Sequence, residues 1–77
     1  MKRVMLVVNN EILARKNADT YNIVVRDKNR LRNRRKKCYV SYDGVNFRVI
    51  KSDYPVERTN DMLHDVKNNM KFIAKVL

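Results

Sequence analysis

Seven of the ten side chains from Lys28 to Lys37 are cations, and none of the ten is an acid. Lys28, Arg30, Arg32, Arg34, Arg35, Lys36 and Lys37 repel one another, and folding alone gives no reason to gather them. A polyanion does, because phosphates neutralise the run and release their own counterions. Four of the seven are Arg, whose planar fork grips phosphate in two places and stacks on bases. Asn29 and Asn33 add donors and acceptors that suit sugars and base edges. The bland alternative is a solvated loop whose charge serves solubility.

A second basic surface is expected beside the first. Residues 37–51 read as a hairpin, and its outward side carries Lys37, Tyr39, Ser41, Asn46 and Arg48, with Ile50 at the end. An aromatic among cations can stack a base or sit in a groove. Tyr39 opposite Arg48 is equally a cross-strand pair that steadies the hairpin. In composition the Lys28–Lys37 run resembles arginine-rich RNA-binding segments and nuclear-localisation stretches, without a motif that names a family.

Other residues offer less. His64 falls on a helical stretch near Lys67, Asn68 and Lys71, away from the apolar stripe, where a lone His reads as a surface residue. Cys38 alternates into the core side of the hairpin as a small buried thiol. Phe72 points off the helical stripe; a bent or frayed helix end would bury it, or it anchors a partner or dimer contact. Met62 and Met70 read as gap fillers.

The whole chain of 77 residues carries 18 Lys and Arg against 8 Asp and Glu, a net charge of +10. Outside Lys28–Lys37 the balance is close to ordinary. One Cys excludes an internal disulfide and a thiolate metal cluster, one His excludes a two-His site, and one Gly excludes glycine-rich phosphate loops. No cofactor or metal is expected. The opening Met1-Lys2-Arg3 and Val4–Val8 imitate a signal peptide but stop at Asn9-Asn10-Glu11, and no apolar run reaches a membrane span. A reducing, cytoplasmic compartment is expected.

Positioning these residues calls for a single domain, 1–77, with a flexible basic loop at about 28–37. Residues 3–8 are apolar on both faces, which suits a well-buried strand. Residues 11–18 fit either a short helix or the return strand of a hairpin turning at Asn9-Asn10, and the strand is preferred. Residues 21–26 read as a strand with Tyr21, Ile23 and Val25 on one face. Asp43-Gly44 reads as a two-residue type I′ turn. That register sets Tyr42 against Val45, Val40 against Phe47, Tyr39 against Arg48 and Cys38 against Val49, with Cys38, Val40, Tyr42, Val45, Phe47 and Val49 on the core side.

From Pro55, a suitable first helical residue, the period becomes 3.6, and a helix over 56–75 is expected. Its stripe reads Val56, Thr59, Leu63, Val66, Met70, Ile73 and Leu77. The fold class is α+β: a small twisted antiparallel sheet of four or five strands against one long C-terminal helix.

The leading expectation is a non-enzymatic nucleic-acid-binding regulator or accessory factor, RNA slightly before DNA, using Lys28–Lys37, Tyr39 and Arg48. A metal-independent ribonuclease of small-toxin type is the second, with Tyr39, Arg48 and His64 as its candidates. The third is a protein that binds and inhibits a larger nucleoprotein machine, such as a host polymerase or ribosome. Ten Asn residues beside the lysines suggest an AT-rich genome of the kind small viral proteins come from. Monomer and homodimer both fit.

Overall fold

The computed structural model describes residues 2–7, 9–29 and 35–76. Arg30, Arg32 and Arg34 of the basic run, and Leu77 of the helical stripe, lie outside the described residues. Five strands succeed one another: β1 (Lys2–Val7), β2 (Asn10–Asn17), β3 (Thr20–Asp27), β4 (Cys38–Tyr42) and β5 (Phe47–Ser52). Each pairs antiparallel with its neighbour in sequence, giving an open sheet in the order β1-β2-β3-β4-β5. The helix α1 (Val56–Val76) packs on one face. The expected α+β architecture of an antiparallel sheet against a C-terminal helix is present.

Alternation along the strands makes the core. Ile12 and Ala14 of β2, Tyr21, Ile23 and Val25 of β3, and Cys38 and Val40 of β4 face the helix and are buried. From α1, Met62, Val66, Met70 and Ile73 close over them. Burying a Val, Leu, Ile or Met side chain contributes about 1.5–3 kcal/mol, so these eleven residues are the main reason a chain this short folds.

Several expectations need correction. Residues 11–17 are strand, as preferred for 11–18, and Ala18 falls in the following turn; Val7 pairs with Asn10, so the chain reverses one residue earlier than Asn9-Asn10. This places Asn10 on the core side, where it is buried. β1 is an edge strand, and Val4 and Leu6 are 54% and 66% exposed rather than buried on both faces. A sheet with one helix has one uncovered face, and their side chains lie on it.

The 38–52 hairpin turns through four residues, Asp43 to Asn46, because Tyr42 pairs with Phe47. Only Gly44 there has positive φ, at 97°. The Asp43 carboxylate accepts the amides of Val45 (2.8 Å) and Asn46 (2.7 Å), forming the wider loop in place of a type I′ turn. The shift of two residues keeps Val40, Tyr42, Phe47 and Val49 on the core side, while Val45 moves out into the loop. A bulge then intervenes, with Val40 opposite Val49 but Tyr39 opposite Lys51 and Cys38 opposite Ser52.

The helical stripe is also rotated. Val56 is exposed and Met62 is fully buried, so Met62 is a core residue and the buried line runs Thr59, Met62, Val66, Met70, Ile73. The amide of Thr59 bonds the carbonyl of Pro55 (2.9 Å), which makes Pro55 the cap residue and Val56 the first helical one. Phe72 is 53% exposed, so no bend of the helix end buries it; Lys71 Nζ lies 5.3 Å from its ring centre.

Candidate nucleic-acid interface

The register of the five strands aligns side chains across the helix-free face. Val4 pairs with Leu13, Leu13 with Val24, Val24 with Tyr39, and Tyr39 with Lys51. Directly opposite residues in antiparallel strands share a face, so an apolar row crosses the sheet and ends on a cation. At strand spacings of about 4.8 Å it is about 19 Å long. Ile50, displaced by the bulge, lines a hollow with Val24, Tyr39 and Lys51. Val4, Tyr39 and Ile50 are exposed, and Leu13 and Val24 are half-buried.

One strand-repeat away a polar row runs parallel to it: Arg15 pairs with Asn22, Asn22 with Ser41, and Ser41 with Arg48. On the other side Glu11 pairs with Arg26 across the strands, and their side chains form an ion pair. Tyr39 and Arg48 therefore share the outward face, as expected, but are not cross-strand partners. Their separation follows from the wider turn, and the cation–π contacts among the described residues are Lys16–Tyr21, Lys67–Phe47 and Lys71–Phe72. Asn46 sits in the loop rather than on the strand face.

The two ends of the basic segment are fastened to the frame. The Tyr54 hydroxyl donates to the carbonyl of Lys36 (2.9 Å) and accepts the amide of Asp27 (3.1 Å). The amide of Asp53 bonds the carbonyl of Lys37 (3.0 Å), and the amide of Lys37 bonds the Asp53 carboxylate (3.1 Å). The amide of Lys28 bonds the carbonyl of Asn9 (2.8 Å), and that of Asn29 the Asp27 carboxylate (2.9 Å). Lys28, Arg35 and Lys36 are exposed and Lys37 is half-buried. Asp53 thus holds the loop stem.

Behind this end lies a polar network that sequence reasoning missed. Buried Asn10 donates its amide to the Asp65 carboxylate and accepts from Arg58. Arg58 also reaches the Asp27 carboxylate at 3.3 Å. Arg58 and Asp65 are seven residues apart, two helical turns, so both face β2. That spacing was the available signal. Alongside, Ser52 and Thr59 share a hydroxyl hydrogen bond of 2.6 Å. Burial pushes the Cys38 thiol above its ordinary value; a hydrogen bond with Ser52 opposes this and the nearby Asp53 charge adds to it.

The three ribonuclease candidates are not brought together. Tyr39 and Arg48 lie on the helix-free face, whereas His64 is exposed on α1 in the other layer, with Nδ1 3.2 Å from the Asn68 amide nitrogen. His64 instead borders a hollow of about 250 Å³ with Asn9, Asn10, Arg58, Asp61 and Asp65. No group of three or more His, Cys, Asp or Glu side chains among the described residues could hold a metal ion. No helix among them is long and apolar enough to cross a membrane. Compared with protein-family models, curated proteins and solved structures, the chain matches none.

Proposed function

We propose that this protein is a small, non-enzymatic nucleic-acid-binding factor that grips phosphates with Lys28–Lys37 and presents its helix-free sheet face to bases. One observation carries this reading: the segregation of charge. Acids near the basic stem and on the sheet are engaged internally, Glu11 with Arg26, Asp27 with Arg58, Asp53 with the Lys37 amide and Asp43 with the amides of its own loop. Glu57, Asp61 and Asp65 lie on the helix. Among the described residues Arg15, Lys28, Arg35, Lys36, Arg48 and Lys51 have no acidic side chain as ion-pair partner. Solvated cations in such numbers favour a polyanion.

The test is binding to labelled RNA and DNA as a function of salt, with replacement of Arg32, Arg34 and Arg35 together by Gln. Affinity is expected to fall for all sequences alike. The slope of log K against log salt is expected to shrink by about 0.9 for each phosphate no longer neutralised on duplex DNA, or about 0.7 on single strands. Nucleic acid that copurifies with the protein, identified by selective nuclease digestion, chooses between RNA and DNA. An unchanged slope and affinity in the triple variant would turn the reading toward an acidic protein partner.

A further inference from the structure

We infer that the helix-free face takes an unpaired strand of nucleic acid rather than a duplex, an inference that rests on the nucleic-acid reading above and names its substrate class. Base faces are apolar and base edges are polar. A duplex offers a protein its phosphates and its base edges, and the middle of this face would meet those edges with Val4, Leu13, Val24 and Ile50, which donate and accept nothing. An unpaired strand offers base faces instead, and stacking on an aromatic flanked by aliphatic side chains tolerates any base.

The charges fit the same occupant. Arg15 and Arg48 sit along one margin of the apolar row. Toward the other margin lies the fastened stem of the basic segment, with Lys37 two positions before Tyr39. Cations on both sides of an apolar floor suit bases lying inward and a phosphate chain free to run along either margin. The row of about 19 Å has room for a few nucleotides. A second copy of this chain is the competing occupant. Placed face to face, it would bring Arg15, Arg48 and Lys51 toward like charges, while the acids at this face are already engaged, Glu11 with Arg26 and Asp43, beside Arg48, with the amides of Val45 and Asn46. Charge complementarity therefore selects the polyanion.

The test is fluorescence anisotropy of the full chain with a labelled 12-nucleotide mixed-sequence RNA, the same sequence as DNA, and the matching duplexes. The parent is compared with the double variant Tyr39→Ala/Ile50→Ser. Single strands are expected to bind at least tenfold more tightly than duplexes. The double variant is expected to lose roughly 5- to 150-fold in single-strand affinity with its salt slope unchanged, since stacking is not counterion release. Both side chains are exposed, at 36% and 55%, and circular dichroism checks the fold. Amide shifts of Leu13, Val24 and Tyr39 in the parent during the titration read the same face without any substitution. If duplexes bind as well as single strands, or those amides do not move, the inference is overturned while the nucleic-acid reading stands on the basic segment. If no nucleic acid binds, that reading falls and the inference with it. A parent dimer that the double variant dissociates would assign the face to a second copy and overturn the inference.

Discussion

Replacing Tyr54 with Phe removes one oxygen atom that serves both ends of the basic segment. Its hydroxyl donates to Lys36 and accepts from Asp27, at 2.9 and 3.1 Å, while the ring is half-buried. A hydrogen bond of this kind contributes about 0.5–1.5 kcal/mol net, so two set a ceiling of about 3 kcal/mol. Water can replace part of the loss at a half-buried site, which brings the expected cost to about 1–2 kcal/mol. The lysine side keeps its second tie, because Asp53 still bonds Lys37 through both its amide and its carboxylate. The effect therefore concentrates at Asp27. Amide hydrogen exchange is the appropriate assay, and the Asp27 amide should exchange about 5- to 30-fold faster in Tyr54→Phe. The Ile23 and Val25 amides, in the middle of β3, should change less. Exchange at Asp27 within twofold of the parent would refute the clamp.

The remaining predictions concern the frame. Asn10→Ala should destabilise the fold by about 2–4 kcal/mol in urea unfolding, because it strips a partner from both Asp65 and Arg58; a cost under about 1 kcal/mol would mean water already serves those charges. Gly44→Val should cost about 1–2 kcal/mol by thermal melting, since a β-branched residue is strained at φ 97° although the space around it is open. Amides of Asn46 and Val45 hold the Asp43 carboxyl below its ordinary value. Its contribution is thus present above the unfolded-state value near 3.9 and is lost as pH falls through the lower folded value. The stability gap between the parent and Asp43→Ala should accordingly narrow on acidification below about pH 4, and a gap independent of pH would refute it.

Period and alternation made the layers legible. Tyr21, Ile23 and Val25 alternate with Asn22 and Val24 and face the helix, as their spacing predicts. Turn chemistry was less reliable than it looked. Asp43-Gly44 is the strongest turn pair in the chain, yet the Asp43 side chain builds a four-residue loop by accepting two amides. A tight two-residue turn does occur at Ala18-Asp19, between paired Asn17 and Thr20, with Ala18 at φ 57°, and neither of its two central residues is Gly or Asn. The bulge beside Tyr39 left no local signal, and it helps decide whether Lys51 or Arg48 stands opposite that ring.

The apolar row was visible in a different guise. Val4 and Leu6 in β1, with Val24 between Ile23 and Val25, are apolar where alternation calls for polar residues. Taken alone, the first of these runs suits a strand buried on both sides. A chain with a single helix has only one layer to offer, so strands apolar on both faces imply an open apolar surface. Asn10 was hidden for the opposite reason, because a polar residue beside a turn reads as part of the turn until the register is fixed.

The meander also governs the order in which the fold can form. Every strand closes on its sequence neighbour, through connections of two to ten residues, and local closure of this kind favours fast assembly. The helix is different: its ties from Asp65 and Arg58 to Asn10 reach across 55 and 48 positions. Hairpins pair in about 1–10 microseconds, so neighbouring strands can find their register before those long-range ties close. For that interval the nascent sheet shows apolar side chains on both faces. The helix then covers one of them for good and leaves the other as the apolar surface the sheet carries into its working life.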